Sequence, residues 1–176
     1  MARSDAELLH LLAELESDQV ERTQQLKTKK SEVAQAVCAF ANDLPGYGSS
    51  GVVFIGATDS GGPAGLDVTD ELLLELSDLR SDGRLLPLPQ IRVARLAVGD
   101  QYVVVVEVDP SSSPPVRFEG RVRIRVGPRR AIASADEERR LSERRRSLDL
   151  TFDARPLPGL GTDALDLDLF EREYLP

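Results

Sequence analysis

The chain has 176 residues, 41% of them hydrophobic and 30% charged, with a net charge of −8. A chain of this size and mix buries roughly 70% of its unfolded surface in one domain without needing a disulfide or a structural metal. Cys38 is the one cysteine and His10 the one histidine, which excludes an internal disulfide framework, a Cys/His zinc site and any histidine triad not built on position 10.

In chain order, Ser4-Asp5-Ala6-Glu7 has the form of a capping box, and Leu8, Leu11, Leu12 and Leu15 follow at helical spacing, which predicts a helix over about 5–15. His10 lies beside that stripe and is read as structural or solvent-facing. The segment that begins at Val20 is polar and ambiguous between strand and loop. A second helix is predicted over about 30–42, with Val33, Val37, Phe40 and Ala41 on its apolar face and Cys38 as a small core residue. Residues 44–50 read as a loop by composition. Residues 51–56 form a short continuous apolar run, as in a strand buried on both faces, and 57–62 read as a turn. A third helix is predicted over about 69–79.

Residues 91–98 and 101–108 are rich in β-branched residues, and Gly99-Asp100 between them predicts a tight hairpin. A second hairpin is predicted from 116–118 and 121–126 around Glu119-Gly120. In 121–126 the alternation is strict, so the pattern buries Val122, Ile124 and Val126 and displays Arg121, Arg123 and Arg125 on the other face. Ser134-Ala135-Asp136-Glu137 forms another capping box, opening a charged helix to about 146. Pro156, Pro158, Gly159 and Gly161 read as a hinge, and Thr162 as the cap of a short helix through Tyr174. The chain thus divides into one lobe over 1–154 and a hinge with a short helix over 155–176, expected to lead into a further element of a longer protein.

The charge is uneven. Residues 117–146 carry 11 Lys and Arg against 5 Asp and Glu, whereas 1–116 carry 9 against 18 and 147–176 carry 2 against 7. A basic stretch inside an acidic body offers a local phosphate-binding surface, or else pairs with the acidic segments around it. The apolar runs, such as 102–106, are far shorter than the roughly 20 residues of a membrane span. The acidic start lacks the form of a signal peptide, so a cytoplasmic location is expected.

The sequence has no Walker phosphate loop, no G-x-S-x-G elbow and no Cys/His ligand set, which leaves carboxylates for catalysis. Glu16 falls where the first helix ends, Glu21 five residues later, and Asp59 after the buried strand. Spacing does not select these three from the other acids. If they cluster, they take up protons or bind a cation, and oxygen ligands suit Mg2+ or Mn2+. Such an ion can activate a water at a phosphodiester.

Several ordered motifs over about 14–146 resemble the Schlafen-type AlbA-like domain. Leu15-Glu16-Ser17-Asp18-Gln19-Val20-Glu21 is similar to its opening E-S-x-x-L/V-E segment. Val37-Cys38-Ala39-Phe40-Ala41-Asn42 is similar to its V/I-x-A-F-A-N helix end. Val53-Phe54-Ile55-Gly56-Ala57-Thr58-Asp59-Ser60-Gly61 with Gly65 resembles its apolar strand and D-x-G turn. Ile124-Arg125-Val126-Gly127 with Ala133-Ser134 resembles its late strand and helix start. The resemblance implies an α+β fold, a mixed sheet with flanking helices in a single lobe. It also implies a bacterial protein of the RecG-like regulator type, or a relative of Schlafen proteins that include metal-dependent endoribonucleases acting on tRNA and rRNA. In those nucleases two glutamates and an aspartate form the catalytic set, which maps onto Glu16, Glu21 and Asp59, both as catalytic residues and as ligands of Mg2+ or Mn2+.

Two departures sit near that site. The family's E-F-K becomes Glu21-Arg22-Thr23, and threonine cannot supply the lysine's charge. A longer loop follows Asn42-Asp43, where the family has N-T-x-G-G. Three functions are carried forward. The first is a metal-dependent endoribonuclease acting on structured RNA such as tRNA, its backbone held by Arg121, Arg123, Arg125, Arg129 and Arg130, with Lys27, Lys29 and Lys30 assigned to the same contact. The second is a non-catalytic nucleic-acid-binding regulator, with RNA favoured over DNA. The third is an interaction or homodimer module in which the apolar strand 102–106 lies in a sheet that supports pairing. Tyr47 and Tyr102 are candidate base-stacking rings, and Gly61-Gly62 is a turn signal rather than an ATP site.

Overall fold

The computed structural model describes residues 3–26, 30–148 and 172. Helix α1, Asp5–Ala13, starts where the sequence places it: the Ser4 hydroxyl accepts from the Glu7 amide while the Glu7 carboxylate accepts from the Ser4 amide. The ambiguous segment is a strand, β1 (Val20–Thr23), followed by α2 (Lys30–Asn42) and β2 (Gly51–Ile55). β1 and β2 pair in parallel with α2 as the crossover, so this is a β-α-β unit. Helix α3 (Asp70–Ser77), capped by the Thr69 hydroxyl, runs into a 3-10 turn over Asp78–Arg80.

The next hairpin is β4 (Ile91–Val98) and β5 (Gln101–Val108), preceded by a two-residue strand β3 (Leu85–Leu86) that the sequence pattern did not mark. Gly99 takes a φ of 61° at the first corner of that hairpin, as a two-residue turn requires. The second hairpin, β6 (Arg117–Phe118) and β7 (Arg121–Val126), turns at Glu119 and Gly120, both with positive φ. A further strand, β8 (Arg129–Ile132), returns through Gly127-Pro128, and α4 (Ala135–Leu148) follows. Its start is the expected capping box, with the Glu137 carboxylate accepting from the Ser134 amide at 2.8 Å.

The strands form two four-stranded sheets, in the orders β1-β2-β5-β4 and β3-β6-β7-β8. β5 is therefore an inner strand of the first sheet, between β2 and β4. Strand 102–106 has both neighbours already, and the open edges of its sheet are β1 and β4. One face of this sheet carries α1, with Leu8 and Leu12 against Val52, Phe54, Val103 and Val105. The other carries α2 and α3, with Val37, Phe40, Leu76 and Leu79 against Val53, Ile55, Val104 and Val106. This double coverage explains why β2 is apolar at every position. α2 approaches β2 so closely that a Cβ on Gly51 would lie 2.3 Å from the Phe40 ring.

α2 also reaches the second sheet, where Val116 and Phe118 join its cluster. The Asn42 side chain makes the joint: its Nδ2 donates to the carbonyls of Val116 and Arg123 at 2.9 and 2.8 Å, and its Oδ1 accepts from the Val116 amide at 2.7 Å. α4 covers the opposite face through Leu141, packed with Val122, Ile124 and Leu44. Among the described residues no helix is long and apolar enough to cross a membrane. The proposed hinge and terminal helix beyond 155 lie outside the described residues, apart from Arg172.

Candidate nucleic-acid interface

The side chains of β1 alternate between the two faces of the first sheet. Val20 points into the α1 cluster, which sends Glu21 and Thr23 toward α2 and Arg22 toward α1. Arg22 is buried there and donates to the carbonyls of Leu12 and Glu14 at the end of α1. That places a cation on the negative end of the helix, on the face of the sheet opposite Glu21. At the family's lysine position, Thr23 is buried and donates to the Gln25 carbonyl.

Glu21 is met from the second sheet. Arg125 donates to its carboxylate, and the Arg130 Nε lies 3.7 Å from the other oxygen. β7 and β8 put these two arginines directly opposite each other, so both reach the same carboxylate. Arg125 also donates to the carbonyls of Ser17 and Val20, and its guanidinium lies 5.3 Å from the Phe40 ring centroid. Glu16 instead caps the strand, accepting from the Arg22 amide at 2.8 Å. Asp59 is exposed on the turn after β2, which is closed by bonds between Thr58 and Gly62.

Among the described residues, no group of three or more His, Cys, Asp and Glu side chains is placed to hold a metal ion. Protein donors already engage both glutamates. The three carboxylates as they stand do not fit an Mg2+ or Mn2+ centre.

The arginine pattern of β7 also needs correction. Val122 and Ile124 are buried as expected, but Val126 is 58% exposed and Arg125 only 4%. The arginine face of β7 is turned toward α2 and β1, not toward solvent, so exposure falls along the strand from Arg121 through Arg123 to Arg125. Arg125 is thus a structural cation rather than a phosphate ligand. Arg130 is likewise engaged, by the Glu32 carbonyl and carboxylate at 2.6 and 3.0 Å. Lys30 pairs with Glu75 at 2.9 Å, and Lys27 and Lys29 lie outside the described residues.

Three of the selected arginines remain open. Arg121 and Arg129 are exposed, and none of Arg121, Arg123 and Arg129 makes an ion pair among the described residues. Arg123 has its Nε buried without a partner, on the face it shares with Arg121. Helix α4 adds exposed arginines at 140 and 146 that the sequence did not single out, although the basic run after its capping box was a visible signal. By contrast, Arg117 is paired with Glu138, Arg139 with Asp136, and Arg144 with the carbonyls of Asp43 and Leu44. Cys38 is inert: its buried thiol donates to the Val116 carbonyl at 3.3 Å, and burial pushes its pKa up to about 11.

Comparison with known proteins places this architecture. The family model described as Schlafen, AlbA_2 matches residues 16–134, and the chain belongs to that family. The match takes in β1 through β8, and α1 and α4 fall outside it. Among solved structures, the N-terminal domain of a RecG-related protein from Nitrosomonas europaea is similar at 27% identity and a TM-score of 0.47, over 62% of this chain and 74% of that one. The DIP2311 protein from Corynebacterium diphtheriae is similar at 18% identity and a TM-score of 0.45, over 73% of this chain and 29% of that one. This chain therefore spans less than a third of the Corynebacterium protein. No curated protein matches.

Proposed function

We propose that the domain is a nucleic-acid-binding module that holds a phosphate backbone through arginines left open on the β7–β8 hairpin and α4. The observation that carries this is the set of guanidinium groups without ion-pair partners among the described residues, Arg121, Arg123, Arg129, Arg140 and Arg146, in a chain of net charge −8. Unpaired cations concentrated on one segment of an acidic protein give a local positive field that attracts a polyanion while the rest of the surface repels it. Structured RNA is the first partner to test, because backbone contacts without base-edge readout suit a helix recognised by shape. Membership in the Schlafen, AlbA_2 family supports the nucleic-acid assignment.

The non-catalytic form is preferred. An endoribonuclease working through Glu16, Glu21 and Asp59 with Mg2+ or Mn2+ would require Glu21 to leave Arg125 and Arg130 and Glu16 to leave the Arg22 amide. Incubation with total tRNA separates the two. The expected result is a retarded complex with intact tRNA in either Mg2+ or Mn2+. Metal-dependent cleavage lost in Glu21→Gln would replace this reading with the hydrolytic one, and no complex at low salt would remove both.

A further inference from the structure

A binder of structured RNA meets unpaired bases in loops and bulges, and the structure offers one place to receive them. Of the three tyrosines, Tyr47 and Tyr102 lie in described elements, 54% and 47% exposed. Tyr102 already has the Arg95 guanidinium over its ring, 5.6 Å from the centroid. Phe40, Phe54 and Phe118 are buried. Tyr47 is thus the one exposed aromatic ring in the described strands, helices and loops without a guanidinium stacked on it.

Its position is built rather than incidental. Tyr47 sits on the longer loop that stands where the family has N-T-x-G-G. The Asp43 carboxylate folds that loop back by accepting from the amides of Tyr47 and Gly48, at 3.1 and 2.9 Å. Arg144 of α4 clamps the loop's base through the Asp43 and Leu44 carbonyls at 2.6 and 2.9 Å. The Tyr47 hydroxyl donates to Asp18 at 2.6 Å, fixing the ring across a narrow crevice with Phe40, Gln19 and Arg125 in its wall. The ring therefore stands beside the basic helix, anchored at both its backbone and its hydroxyl.

We infer that Tyr47 is a stacking platform for a single unpaired nucleobase of a strand held by the open arginines of α4, where Arg140 lies one turn before the Arg144 that clamps this loop; this rests on the nucleic-acid reading above. Every base has a π-face, so such a platform is tolerant of sequence. A ring already fixed by two anchors loses little freedom on binding.

The test compares a labelled single-stranded oligoadenylate RNA with the same ribose-phosphate backbone carrying abasic spacers, by fluorescence anisotropy at low salt. Wild type should bind the base-bearing strand more tightly. Tyr47→Ala should lower that affinity about tenfold, within the range known for base–aromatic stacking, and leave the abasic strand unaffected. Tyr47→Phe keeps the ring and should retain the preference. The proposal is overturned if Tyr47→Ala weakens both strands equally or neither, or if wild type binds the two strands alike. Equal binding would leave the backbone-binding surface standing; no binding of either strand would overturn both.

Discussion

At the scale of single residues, Arg125 and Glu21 show how a basic pattern in sequence becomes internal structure. A buried guanidinium left without its carboxylate is a poorly compensated charge, so Glu21→Ala should lower stability by about 2–4 kcal/mol. Thermal unfolding of the double variant Glu21→Ala with Arg125→Met should recover part of that loss; a double-variant loss equal to the sum of the two single losses would show that the pair is not coupled. A second pair sits at the other end of the first sheet. Arg92 donates to Asp109 at 2.6 and 2.9 Å and holds that carboxyl below the usual carboxylate range. Because the folded pKa is depressed, the pair's stabilisation is present above the unfolded pKa of about 3.9 and disappears as pH falls through the folded value. Asp109→Asn should therefore cost about 1 kcal/mol at pH 7, after allowance for its partial exposure, and progressively less below pH ~4. Unfolding curves across that window check the sign. Neither pair was legible in the sequence, since each joins residues from different elements. Glu16, Glu21 and Asp59 were legible as family positions, but their partners were not.

At the scale of elements, the sequence marked whatever a local rule governs. The bounds of α2, β4 and β5, the capping boxes of α1 and α4, and both predicted hairpins agree with the structure. β3 was not marked because two residues carry no period. β8 was not marked because Arg129-Arg130-Ala131-Ile132 reads as a polar-to-apolar ramp, although Gly127-Pro128 was an available turn signal. The facing of β7 failed for a different reason. Strict alternation establishes that two faces differ, but α2 and α4 cover both, and the polar face then needs internal partners. Asn42 supplies the joint between α2 and this hairpin. Asn42→Ala removes three hydrogen bonds, two of them buried, and takes its acceptor from the Val116 amide, so it should destabilise the fold by about 2–3 kcal/mol. Denaturant midpoints at constant slope would measure this, and a loss below about half of that range would show that water or the backbone takes over.

At the scale of the whole molecule, composition located the positive segment but could not tell which cations are consumed internally. Of the selected positions, Arg125 and Arg130 are tied to Glu21, and Lys30 to Glu75, while Arg121, Arg123 and Arg129 stay open. On the proposed function, the open group and not the paired one contacts phosphate. Neutralising a phosphate contact removes counterion release, so each lost contact should lower the log–log salt slope of binding by about one. The decisive measurement is the salt dependence of tRNA binding by wild type and by the triple variant Arg121→Gln, Arg123→Gln, Arg129→Gln. A slope reduced by about two to three with the folded state intact is the expected result; an unchanged slope, or wild-type binding indifferent to salt, would contradict it.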